Sequence, residues 1–256
     1  GGTITLLDDA TLTEKVTISK EIELVGNNHT ITGVADDAGV NFEVTSGTFT
    51  ISNVTLSGFG KDAATNSGNA VIKVNSGANG TSVVANNVNI NNYCRSAYDI
   101  RAGRFEITGG TIDSGTDASG VNSKLTKGIM VGYGSSTATG TITGVTITNS
   151  ASNYADWNTA GIEVYKNGSV DISNCNISNV DNGIHVDNYY DVTGASVTGP
   201  DVEISNVIVS AENDAIRVYG NGSTNSQSAK VVVTGGSYTG DIAVIDGTGK
   251  EAITLT

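Results

Sequence analysis

Proline is almost missing from this 256-residue chain, and methionine and tryptophan occur once each. The single proline, Pro200, falls in a loop, where it breaks no strand ladder. Stretches that favour helix are short or absent. Histidine occurs twice, as His29 and His185, too far apart in sequence for a zinc-binding spacing. The stretches GYGSS and YGNGS are loop glycines that lack the strand-to-helix context of a phosphate loop. Basic residues are scarce: 13 Lys and Arg face 26 Asp and Glu, for a net charge of −13. That balance argues against nucleic acid, which rewards clustered Lys and Arg. It also opposes unassisted binding of polyanions, unless a bridging cation such as calcium reverses the sign. No apolar run is long enough for a membrane span or a signal peptide, so no membrane insertion is expected.

What the chain has instead is glycine, 33 residues of it, and one sentence repeated with small changes. One copy, Gly161 to Val186, reads GIEVYKNGSVDISNCNISNVDNGIHV. Aligned on the residue before its third strand, the copies give the column Asn28, Asn53, Asn87, Gly109, Gly144, Asn174, Asn206, Gly235. Directly after this column come His29, Val54, Val88, Gly110, Val145, Cys175, Val207 and Gly236, and three residues after it come Ile31, Leu56, Ile90, Ile112, Ile147, Ile177, Val209 and Tyr238. Two residues before it stand Ile51, Ala85, Ile107, Ile142, Ile172, Ile204 and Val233. The intervening residues are mostly Thr, Ser, Asn, Asp or Glu. Such period-two alternation marks half-buried strands.

An opening strand in each copy has core pairs Phe42/Val44, Ile72/Val74, Tyr98/Ile100, Ile129/Val131, Ile162/Val164, Ile184/Val186, Ile216/Val218 and Ile242/Val244. Each repeat is therefore one coil of three short strands and three bends, stacked on the next around a shared core. Parallel strands about 4.8 Å apart give a rod of roughly 35–45 Å. Coil length varies, so the extra residues bulge out as loops. The Asn column is expected to point inward, bonding the backbone of a bend and stacking from coil to coil, with Gly meeting the same bend by positive φ. The other reading is that Asn is there as a common turn residue. Cys175 falls in a core column and Cys94 in a loop more than two rungs away. That is too far for a disulfide, so both thiols are expected free. His29 falls in an inward column and reads as a structural bend residue.

Over roughly residues 16–246 this pattern resembles the right-handed parallel β-helix of the pectate-lyase-like superfamily. The opening GGTITLLDDATLTEKVTISKEIELVGNNHTITG also resembles the first coil of β-helix repeats in bacterial surface proteins. The resemblance implies an all-β, single-stranded right-handed parallel β-helix of about eight to nine coils, with residues 1–256 forming one domain of a longer surface protein. It further implies an extracellular module, attached to the cell surface or secreted, and monomeric within that chain. Its fold hosts lyases, hydrolases, esterases and adhesins alike, so function has to be read from the site.

In this fold, ligands lie across the outward residues of one sheet. Along the opening strands that column reads Glu43, Lys73, Asp99, Met130, Glu163, His185, Arg217, Ala243. Two residues later it reads Thr45, Asn75, Arg101, Gly132, Tyr165, Asp187, Tyr219, Ile245. Glu163, His185 and Arg217 would be neighbours on successive rungs, able to do acid–base work on a sugar. Arg217 or His185 could take a proton from a sugar carbon, or Glu163 and Asp187 could act as a hydrolytic pair. The plain alternative is a charge ladder on a solvated face. Two loops add aromatics: SASNYADWN with Tyr154 and Trp157, and DNYYDVTGASVTGPD with Tyr189 and Tyr190. Tyr133 and Tyr219 begin other loops on the same edge. Such rings stack on sugar faces, anchor protein partners, or pack down the loops that carry them.

The NTD, DD, GHG and RIK motifs of polygalacturonate hydrolases are missing; DNGIHVDN and NDAIRVYGN match them only loosely. A calcium cluster like that of the lyases is hinted at by Asp187, Asp191 and Arg217. Thr141, Thr146 and Thr148 form a local array too irregular elsewhere for ice binding. The expected role is adhesion, binding a polysaccharide or host-surface glycan through Tyr154, Trp157, Tyr165, Asp187, Tyr189, Tyr190 and Tyr219. The alternatives are a polysaccharide lyase or glycoside hydrolase using Glu163, His185 and Arg217, and a structural stalk. No cofactor is expected beyond calcium.

Overall fold

The fold is seen in a computed structural model that describes residues 1–34, 39–59, 69–93, 95–114, 127–150, 159–188, 198–220, 227–245 and 250–256. Among these residues there are strands, turns and bends, and no helix. No helix there is long and apolar enough to cross a membrane.

The strands form three parallel ladders. In the first, Val16–Ile18 pairs with Phe42–Val44, then Ala70–Val74, Ser96–Ile100, Lys127–Val131 and Ala160–Tyr165. It continues through the second halves of Asn176–Asp187, Ile208–Tyr219 and Ser237–Ile245. A second ladder runs from Gly2–Thr5 through Ile22–Val25 and on to Glu251–Leu255. The third joins Ala10–Leu12, Thr30–Gly33 and the last strand of each later coil. A chain that returns to the same ladder once per turn, always parallel, is a parallel β-helix.

The columns read from sequence are the core. Ile51, Leu56, Ile72, Val74, Ile90, Ile142, Ile162 and Ile177 are each fully buried, and so are Ile184, Val186, Ile216 and Val218. Cys175 replaces valine in the column of Val54, Val88, Val145 and Val207, and is a buried free thiol. Cys94 lies outside the described residues. Glycine enters that column at Gly110, where φ is +82° and a Cβ would lie 2.1 Å from the Val88 carbonyl oxygen. Ile242 and Val244 keep the register but are 37% and 41% exposed, since no later opening strand stacks on them among the described residues.

The Asn column differs from the inward expectation. Asn28, Asn53, Asn87, Asn174 and Asn206 are all exposed. Each has positive φ, between 50° and 64°, as do Gly109, Gly144 and Gly235 between 63° and 67°. The bend needs a left-handed residue, and Asn tolerates that region better than other side chains. Backbone conformation, rather than an internal amide ladder, is therefore what selects Asn. Stacking survives outside, where Asn87 Nδ2 donates to Asn53 Oδ1 at 3.1 Å. His29 is half-buried, its Nδ1 3.5 Å from Asp9 Oδ1.

Candidate functional site

Period-two alternation on the opening strands puts one column of side chains outside the core, and the pairing aligns it rung by rung. Glu43 faces Lys73, then Asp99, Met130, Glu163, His185, Arg217 and Ala243. Tyr165, Asp187 and Tyr219 form the neighbouring column. The three residues expected to meet do meet.

The row is not a solvated ladder. Asp99, Met130 and Glu163 are only 3%, 2% and 3% exposed. A carboxylate so buried needs compensation. Lys127 Nζ lies 2.9 Å from Glu163 Oε2, and His185 Nδ1 lies 3.2 Å from Oε1. Burial alone would push the Glu163 carboxyl up; Lys127 and then His185 overturn that and hold it down at about 2. Burial, followed by the nearby Glu163, pushes the Tyr165 phenol well above its ordinary range, so it stays a neutral hydroxyl. With Glu163 at Nδ1, a proton on that nitrogen is favoured. Both His185 ring nitrogens are buried, and among the described residues neither makes a hydrogen bond of full geometry, the Nδ1 contact with Glu163 being an approach at 3.2 Å.

Arg217 closes the other end. Its Nη1 is 3.4 Å from Asp214 Oδ2, its guanidinium lies 5.5 Å from the Tyr219 ring centre, and its Nε has no hydrogen-bond partner among the described residues. Behind it, Asp181 is 1% exposed and accepts from Asn182 Nδ2 at 2.8 Å and from Asn213. Burial raises its carboxyl above the ordinary value, offset by Asn213 and Arg217. On the Glu163 side, Tyr133 meets Tyr165 edge-on with ring centres 4.9 Å apart. Arg101 covers Tyr133 at 4.8 Å and binds Asp99, with Nη2 to Oδ2 at 2.6 Å.

Lys127 escaped the sequence reading. It sits three residues before Met130, outside the alternating columns, and pairs with Ser96 and Ala160. A lysine among small residues at one register position was the available signal. Tyr154, Trp157, Tyr189 and Tyr190, expected to bind ligand, lie outside the described residues, as does Asp191.

One oxygen or nitrogen each from Glu163, His185 and Asp187 falls within 4.8 Å of the others. Calcium takes six to eight oxygen ligands. A set containing an imidazole, with its most buried carboxylate already matched to Lys127, does not fit that ion.

No protein-family model matches the chain, and no curated protein does. Among solved structures, endopolygalacturonase I from Stereum purpureum, complexed with two galacturonates, aligns over 100% of this chain and 92% of its own. The identity is 16% and the TM-score 0.37. The assignment as a parallel β-helix rests on this chain's own pairing.

Proposed function

We propose that this chain cleaves an acidic polysaccharide by β-elimination at the opening-strand face, where Arg217 supplies, in place of a bridging cation, the positive charge that a net charge of −13 otherwise withholds from a polyanion. The observation that carries the reading is the approach of Glu163 Oε1 to His185 Nδ1 at 3.2 Å, on an imidazole one rung from Arg217 whose Nε2 has no hydrogen-bond partner among the described residues. In the elimination, Arg217 takes the sugar carboxylate and His185 Nε2 accepts the proton from the carbon beside it. The electron pair forms a carbon–carbon double bond and expels the glycosidic oxygen on the next carbon. That oxygen recovers a proton from the same imidazolium. Glu163, held ionised by Lys127, fixes the imidazole and stabilises its charged form.

Hydrolysis by Glu163 and Asp187 is the weaker reading. A general acid must hold its proton near working pH, and Glu163 is ionised down to about 2. Both its oxygens are also engaged, Oε2 by Lys127 and Oε1 by the His185 imidazole. Adhesion without cleavage, the role expected from the aromatic loops, remains the reading if a glycan binds and no product forms. A stalk is the reading if nothing binds. An extracellular setting belongs to the proposal, since that is where such polymers are met.

The test is incubation with a panel of free and esterified polyuronates and neutral glycans, monitoring ultraviolet absorbance and reducing ends. Unsaturated product from a polyuronate supports elimination. Reducing ends without absorbance would replace it with hydrolysis.

A further inference from the structure

A second polar concavity lies on the same face, toward the first coils. It has a volume of about 420 Å³ and is lined by residues that include Lys15, Asn41, Glu43, Asn69 and Lys73. This size falls in the range of small-ligand sites. Three observations make it more than a surface dimple. Asn41 is 2% exposed, and its Oδ1 has no hydrogen-bond partner among the described residues. A buried acceptor of that kind is normally met by a donor. Glu43 is already occupied, 2.5 Å from Lys15 Nζ and hydrogen-bonded by Asn75. Lys73, on the next rung, is within 4.0 Å of no carboxylate oxygen among the described residues and makes no hydrogen bond there. Lys73 adds to the positive charge that holds the Glu43 carboxyl down, but among the described residues no acid holds its ammonium in a close pair, which leaves it beside an unmet amide oxygen in a chain of net charge −13.

We propose that this concavity is a second carbohydrate subsite, which takes an acidic sugar residue with its carboxylate on Lys73 and a hydroxyl donating to Asn41 Oδ1. The inference rests on the reading that this face takes carbohydrate, but not on cleavage at His185. Along the column, Lys73 is followed by Asp99, Met130 and Glu163. Three rungs put it about 14 Å from Glu163. A glycan lying along the solenoid would thus reach both places, and one too short would reach only one.

The experiment is calorimetric titration of the full chain carrying His185→Ala, which cannot cleave under the reading above, with oligogalacturonates of increasing length. Neutral cello-oligosaccharides serve as the control. Affinity is expected to climb once the oligomer spans both places, and the neutral series is expected to bind far more weakly. Adding Lys73→Met should weaken binding of the long oligomers about tenfold, the size of one charge-assisted hydrogen bond. The half-exposed Lys73 can be replaced without opening the core, and an unchanged circular dichroism spectrum verifies that. Unchanged affinity in Lys73→Met overturns the proposal, as does equal binding of acidic and neutral oligomers or no binding at all. Failure of the cleavage reading has its own signature: Lys73-dependent binding persists while the unsubstituted chain yields no unsaturated product.

Discussion

Replacing Lys127 by methionine tests how the buried carboxylate of Glu163 is sustained. Glu163 is 3% exposed, and its carboxyl is held at about 2 against an ordinary value of 4.5. Its folded-state pKa is depressed, so its stabilisation is present above about 4.5 and is lost as the pH falls toward 2. The difference corresponds to about 3 kcal/mol. Lys127→Met removes the ammonium 2.9 Å from Oε2 and leaves only the His185 imidazole beside Oε1. Breaking a buried pair on one side costs about 3–5 kcal/mol. The variant should therefore lose about 3 kcal/mol in urea unfolding at neutral pH, followed by far-ultraviolet circular dichroism. Its acid limb should also begin at higher pH, because burial then raises the Glu163 carboxyl. Adding Glu163→Gln should restore much of the loss, since no charge is left buried alone. A single-variant loss within about 0.5 kcal/mol would refute the reasoning and mark the pair as one of the weak solvated kind.

Three further outcomes follow from the same geometry. Asn174→Ala should cost about 1 kcal/mol in urea unfolding and Asn174→Gly nearly nothing, because the residue is exposed and held at φ 53°. Ile142→Ala, in a column with no exposure, should cost about 2–5 kcal/mol by the same measurement. Arg217→Lys should raise KM for a polyuronate more than it lowers kcat, since lysine keeps the charge but loses the guanidinium geometry; steady-state kinetics separates the two.

Much of the fold was legible because one rule, alternation, governs every coil. The columns of Ile51, Leu56 and Ile72 and the outward row from Glu43 to Arg217 follow from it directly. The rule fails at bends, where backbone conformation decides. Asn53 and Asn174 stand two residues after the buried Ile51 and Ile172, in phase with them, yet sit outside, because a left-handed residue turns its side chain away from the strand alternation. Lys127 was missed for a related reason: it stands before the alternating part of its strand and reaches Glu163 through a long side chain. Burial of the row was also out of reach. Alternation tells inside from outside, but not whether the outside is covered, and Glu163 belongs to both an outward column and a dry environment. The loop aromatics that motivated adhesion, Trp157 and Tyr189 among them, lie outside the described residues.

The most direct test of the account is the rate at which the chain forms a carbon–carbon double bond in a polyuronate, measured by ultraviolet absorbance for the unsubstituted protein and His185→Ala. The account predicts measurable product, and a loss of about 10²–10⁴-fold in the variant, the usual contribution of a positioned base. Equal rates in the two proteins, or cleavage that yields only saturated ends, would contradict it.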